Sequence, residues 1–131
     1  MNRLEGRVCV VTGAARGIGR AVARAFALEG ATVIGADRFA DELELEMQAL
    51  RDQGLEALAA PLELRSAQDV SHFAHAVLEN HHRVDVLANV AGIIVEKHLE
   101  ETTLEDWNAI LEVNLRGPFL TCRAFATTMK Q

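Results

Sequence analysis

Apolar and polar positions fall into alternating blocks along this chain, with short apolar runs followed by longer amphipathic stretches. Residues 7–12, Arg-Val-Cys-Val-Val-Thr, have the length and β-branched content of a buried strand. Residues 18–29 then place Val22, Ala25, Phe26 and Glu29 along successive helical turns, and Gly30 supplies a stop. The pattern recurs. Residues 31–36 predict a second strand ending at Asp37, and residues 41–53 a helix carried by Leu43, Met47 and Leu50 and closed by Gly54. Residues 55–61 predict a third, weaker strand, because alanine is a poor strand former. Ser66 is placed to cap a helix whose inner face is Val70, Phe73, Val77 and Leu78. Residues 84–89 predict a fourth strand, broken by Ala91-Gly92. Thr103 caps a last helical stretch that starts near Leu104 and runs to the terminus, with a bend expected at Gly117-Pro118.

Four strands separated by helices imply a parallel sheet with right-handed crossovers. The expected architecture is α/β, a doubly wound sheet of the Rossmann type, with no repeat or linker dividing residues 1–131. In such a sheet the last helix, carrying Leu115, Phe119, Leu120, Phe125 and Met129, should lead to a fifth strand. The expectation is therefore a sheet truncated after its fourth βα unit, with the fourth strand as an open edge.

Composition narrows the partners. Half of the 131 residues are hydrophobic and 24% are charged, a globular profile. The net charge of −6 argues against a nucleic-acid partner, since phosphate-backbone binding is driven by Lys and Arg. No apolar run approaches the length of a membrane span, and residues 1–7 lack the apolar core of a signal peptide. Two distant cysteines, Cys9 and Cys122, suggest a reducing, cytoplasmic setting. The histidines at 72, 75, 81 and 82 lack acids or cysteines that would complete a ligand set, so no metal is expected.

The chemistry lies between the first strand and the first helix. Thr12-Gly-Ala-Ala-Arg-Gly-Ile-Gly19 is a glycine turn leading into a helix N-terminus, where free N–H groups and the dipole suit a phosphate. Asp37 follows 18 positions after Gly19, at the end of the second strand. Alone it reads as a solvated loop aspartate. With the glycine turn at that distance, it suits the ribose hydroxyls of an adenosine and repels a 2′-phosphate. Arg16 and Arg38 could each meet such a phosphate and so complicate the preference; two arginines flanking the Asp37 carboxylate leave NAD ahead of NADP without settling the choice.

These residues carry a family resemblance. The glycine turn, Asp37, Asp85-Val-Leu-Ala-Asn-Val-Ala-Gly92, Trp107 and Val113-Asn114-Leu115-Arg116-Gly117 resemble, in order and spacing, the signatures of the short-chain dehydrogenase/reductase family. The resemblance implies an NAD(P)-dependent oxidoreductase of alcohols and ketones, with residues 1–131 as its cofactor-binding part. Gly13, Gly17 and Gly19 would form the turn under the pyrophosphate, Ile18 would give a backbone contact, and Asp37 would select the ribose. Glu63-Leu64 falls where the family has Asp-Val beside the adenine; a longer acid there leaves the Leu64 amide as the contact. Asn89, Ala91 and Gly92 match a motif that stabilises the sheet and lines the cofactor cleft, with Val90 replacing a second asparagine. Asn114 matches the helix asparagine of a proton relay to a catalytic lysine. From the residues alone, Asn89 and Asn114 are equally well structural.

The family's proton-transfer group is a tyrosine, activated by a lysine four residues on and assisted by a serine. This chain contains no tyrosine. Turnover by these 131 residues alone is therefore not expected. Two other readings stay open: a non-catalytic nucleotide-binding module, and an interaction protein that completes its sheet with another chain or a second copy. Trp107, Phe119 and Phe125 are expected in a core or interface, and Cys122 in helix packing. Residues 96–105 read as a solvated loop.

Overall fold

The computed structural model describes residues 2–131. Its elements run β1 (Val8–Thr12), α1 (Gly17–Leu28), β2 (Thr32–Asp37), α2 (Ala40–Arg51), β3 (Ala57–Pro61), α3 (Ala67–His81) and β4 (Val86–Asn89). A single 3-10 turn (Leu99–Glu101) precedes α4 (Leu104–Leu111), a π-helical turn (Glu112–Arg116) and α5 (Gly117–Met129). All strands pair in parallel in the order β3-β2-β1-β4. The chain thus steps outward from β1 to β3, then crosses back through α3 to place β4 on the other side of β1. That reversal creates a crevice beyond the carboxyl ends of β1 and β4, where doubly wound sheets take their ligands. As expected, β4 is a sheet edge. The opposite edge, β3, ends in Pro61, which can sit there because an edge N–H is dispensable.

Alternate side chains of β1 feed two cores. Cys9 and Val11 pack with α1 and α2 through Ala23, Ala27, Leu43 and Met47. Val8 and Val10 pack with Val70, Phe73, Val77, Leu120 and Phe125 beneath α3 and α5. The Phe73 and Phe125 rings meet edge to face at 6.1 Å. Helix starts follow the expected signals. The Ser66 hydroxyl accepts from the Asp69 N–H, and Thr103 and Asp106 form a reciprocal capping box.

Several expectations need correction. Helix α1 buries Gly19, Ala23 and Ala27, while Ala25 is exposed and Val22 and Phe26 are half-buried. A strip of small residues lets this helix lie close to the sheet, so the larger side chains are displaced to its flanks. The last helical stretch departs from α geometry at the π turn Glu112–Arg116, just before the expected bend at Gly117-Pro118. Of the three aromatics expected in a core or an interface, Phe125 lies in the core, whereas Trp107 is 60% exposed and Phe119 56%. Cys122, expected in helix packing, is exposed, and its sulfur accepts from the Asn89 side-chain amide.

Candidate cofactor-binding site

The glycine turn is built by close approach. An added Cβ at Gly13 would lie 2.8 Å from the Ala91 Cα, and one at Gly19 would lie 2.0 Å from the Gly13 carbonyl oxygen. Only side chains without a Cβ let β1, the start of α1 and the segment after β4 converge here. Thr12, 2% exposed, fixes the same convergence with its hydroxyl, which accepts from the N–H groups of Val90 and Ala91 at 3.1 and 3.2 Å. Helix α1 starts at Gly17 without a side-chain cap among the described residues. The N–H groups of its first turn thus lack helical partners and present the positive end of the dipole.

The cleft above this turn encloses about 600 Å3, within the range of small-molecule sites. It is lined by Gly13, Arg16, Ile18 and Gly19 from the turn, and by Asp37 and Arg38 from the end of β2. Glu63 and Leu64 line it beyond β3, and Ala91 and Gly92 beyond β4. Ten residues expected at the cofactor thus surround one cavity. Gly17, Asn89 and Asn114 do not line it. Gly17 shapes the turn, with φ +53. The Asn89 side chain faces α5, where its oxygen accepts from the Thr121 hydroxyl at 2.6 Å. Asn114 clamps the Ile93 backbone with two bonds of 2.8 Å, one accepted from N–H and one donated to the carbonyl. Its side chain thereby holds Ile93, a wall of the cleft, in place.

Electrostatics concentrate at the β2 end. One Asp37 oxygen accepts from the Ala15 N–H at 3.1 Å and the other from the Phe39 N–H at 3.0 Å, tying the glycine turn to the β2–α2 loop. Arg16 pairs through two nitrogens with the Glu42 carboxylate, and its guanidinium sits 3.9 Å from the centre of the Phe39 ring. Arg38 approaches the same ring at 4.8 Å. Arg16 lowers the pKa of Glu42, and the guanidinium is in turn stabilised by hydrogen bonding to Glu42, with Asp37 adding its charge. The Glu63 side chain is engaged within its own loop: one oxygen accepts from the Arg65 N–H at 3.0 Å, while the Glu63 N–H donates to Asp69.

Two titratable groups lie at the other end of β1, away from the cleft. Burial pushes the Cys9 thiol up to about 11, with the Asp85 charge acting in the same direction. Asp85 is held at about 2, first by Arg83 and then by the Val8 N–H and Arg7. It staples the start of β1 to the segment leading into β4. Sequence reasoning missed Thr12, Phe39 and Glu42 as site-building groups. A hydroxyl ending a strand beside a glycine turn was the available signal for Thr12; nothing local marked Glu42, because its partner lies 26 positions away.

The short chain dehydrogenase family model matches residues 7–131. A D-threitol dehydrogenase of Mycolicibacterium smegmatis is 37% identical over 97% of this chain and 49% of its own length. A 3-oxoacyl-acyl-carrier-protein reductase of Thermotoga maritima is 40% identical over 89% of this chain and 48% of its own. Among solved structures, a metagenomic short-chain oxidoreductase in complex with NADP superposes with a TM-score of 0.92 at 38% identity. That match covers 96% of this chain and 57% of the other. The chain belongs to the short-chain dehydrogenase/reductase family, and it spans about half the length of the curated relatives it matches.

Proposed function

We propose that residues 1–131 form the dinucleotide-binding part of an NAD(H)-dependent oxidoreductase acting on an alcohol or ketone. The observation that carries this reading is the convergence of Gly13, Gly19 and Ala91 at one end of a cleft whose other wall holds the Asp37 carboxylate. The uncapped first turn of α1 suits a pyrophosphate, which backbone N–H groups can reach where no Cβ intervenes. Asp37 keeps a lone pair on each oxygen beyond the two backbone bonds it accepts, enough to receive ribose hydroxyls. When bound, the dinucleotide supplies a hydride donor or acceptor at its nicotinamide ring. The chain's own residues position it: the glycine turn at the phosphates, Asp37 at the adenine ribose, the Leu64 amide beside the adenine, and Ile93, held by Asn114, towards the opposite end. With no tyrosine in these 131 residues, proton transfer of the family's kind has no donor here. We infer that they bind cofactor without turning it over.

NAD is favoured over NADP because Asp37 opposes a 2′-phosphate and the Arg16 charge is already neutralised by Glu42. The metagenomic neighbour holds NADP, so the preference needs a direct test. Calorimetric titration should give saturable one-to-one NAD binding and weaker NADP binding. Asp37→Asn should narrow that gap by about tenfold, the scale of one charge-assisted interaction. Absence of NAD binding by a folded chain contradicts the reading.

The open edge of β4, together with the exposed Leu111, Leu115 and Phe119 of the last helical stretch, favours a second reading in which another chain or a second copy adds to the sheet. Sedimentation should then show an assembly independent of NAD; a monomer at all concentrations contradicts it.

A further inference from the structure

Arg16 immediately precedes the first helix and lines the cleft, yet its guanidinium is turned onto Glu42 of α2 and stacked over Phe39. Glu42 itself is not part of the cleft lining, and both members of the pair are about half exposed. Asp37, Arg38, Arg16 and Glu42 together sum to zero charge, two carboxylates against two guanidiniums. A phosphate monoester carries roughly −1.5 to −2 near neutral pH, so it meets no net attraction at this corner. Without the Glu42 charge the same corner becomes positive, and Arg16 regains the planar donor fork that suits a phosphate. The pair therefore does more than link α1 to α2. It sets how many cations the cleft can offer a ligand.

We propose that Glu42 is a specificity-determining residue that disfavours a 2′-phosphorylated dinucleotide by occupying the Arg16 guanidinium from outside the cleft. This deepens the proposed cofactor reading and rests on it. Discrimination is then divided between two carboxylates of different reach. Asp37 acts on the ligand at the cleft wall, and Glu42 acts through Arg16 from the first turn of α2. An exposed ion pair contributes little to stability, so Glu42 can be replaced without loss of fold.

The test is calorimetric titration of the 131-residue chain with NAD and with NADP at two salt concentrations, for wild type, Glu42→Gln and Glu42→Gln/Arg16→Ala. Circular dichroism confirms folding of each. Glu42→Gln should raise the NADP-to-NAD affinity ratio about tenfold, as expected for one released charge-assisted partner, and added salt should shrink the gain. The double variant should lose the gain. An unchanged ratio in a Glu42→Gln variant that still binds NAD overturns the proposal. So does a gain that survives in the double variant, because Arg16 would then not be its agent. A folded wild-type chain that binds neither nucleotide overturns the cofactor reading itself, and this inference with it.

Discussion

On one side of β1, β2 is buried through Val33–Ala36 and backed by α1 and α2; on the other, β4 is half-buried along its length and ends at the exposed Asn89. The first side is held by packing. Gly35 lies so close to α2 that an added Cβ would stand 2.8 Å from the Met47 sulfur, and α1 buries its small residues Ala23 and Ala27 in the same core. The second side adds polar ties to the packing of Val86, Leu87, Ala88 and Val90 against the two cores. Thr12 accepts from Val90 and Ala91, Thr121 donates to Asn89, Asn114 grips Ile93, and Asp85 joins β1 to the approach of β4. The cleft lies across the junction. Its adenosine end thus has a rigid, close-packed floor, and its other end depends on a few hydrogen bonds.

Four substitutions separate these two kinds of support. The largest effect is expected for Phe125→Ala, which empties a fully buried site under α3 and should cost about 3–5 kcal/mol in denaturant unfolding. Thr12→Val keeps the shape but orphans two N–H groups; a loss of about 1–3 kcal/mol and weaker nucleotide binding are expected. A silent Thr12→Val would show that packing alone holds the β4 side.

Asp85→Asn probes the same side through pH. The folded value of about 2 lies below the ordinary 3.8, so the unfolded chain binds more protons between these limits. The Asp85 contribution is therefore present above about pH 4 and fades as pH falls towards 2. Asp85→Asn should cost about 1–2 kcal/mol at pH 7 and flatten the acid limb of the stability profile. A parallel profile would contradict this assignment. Phe119→Ala, on the exposed face of the same helix as Phe125, should change stability by less than about 0.5 kcal/mol.

The close-packed side was also the more legible one. Strand β1, the glycine turn, β2 and Asp37 follow from apolar runs and punctuating glycines, which are local signals. Cap residues Ser66 and Thr103 were legible for the same reason. What escaped depends on distance or on crowding. The pairing of Arg16 with Glu42 joins two helices. The turn of Glu63 towards Arg65 follows from loop geometry. The small-residue face of α1 defied the periodic reading because tight packing selects against the larger apolar side chains that define a pattern. The π turn at Glu112–Arg116 left helical periodicity almost unchanged, so it could not be seen from spacing.

The central claim is that one cleft, between the glycine turn and the end of β2, receives a nicotinamide dinucleotide. The most direct test is an amide-resolved NMR titration of the isotopically labelled chain with NAD. Shifts should saturate together and cluster at residues 13–19, at Asp37 and Arg38, at Leu64 and at residues 91–93. A folded chain with no shifts, or with shifts confined to the exposed face of α4 and α5, would contradict the account.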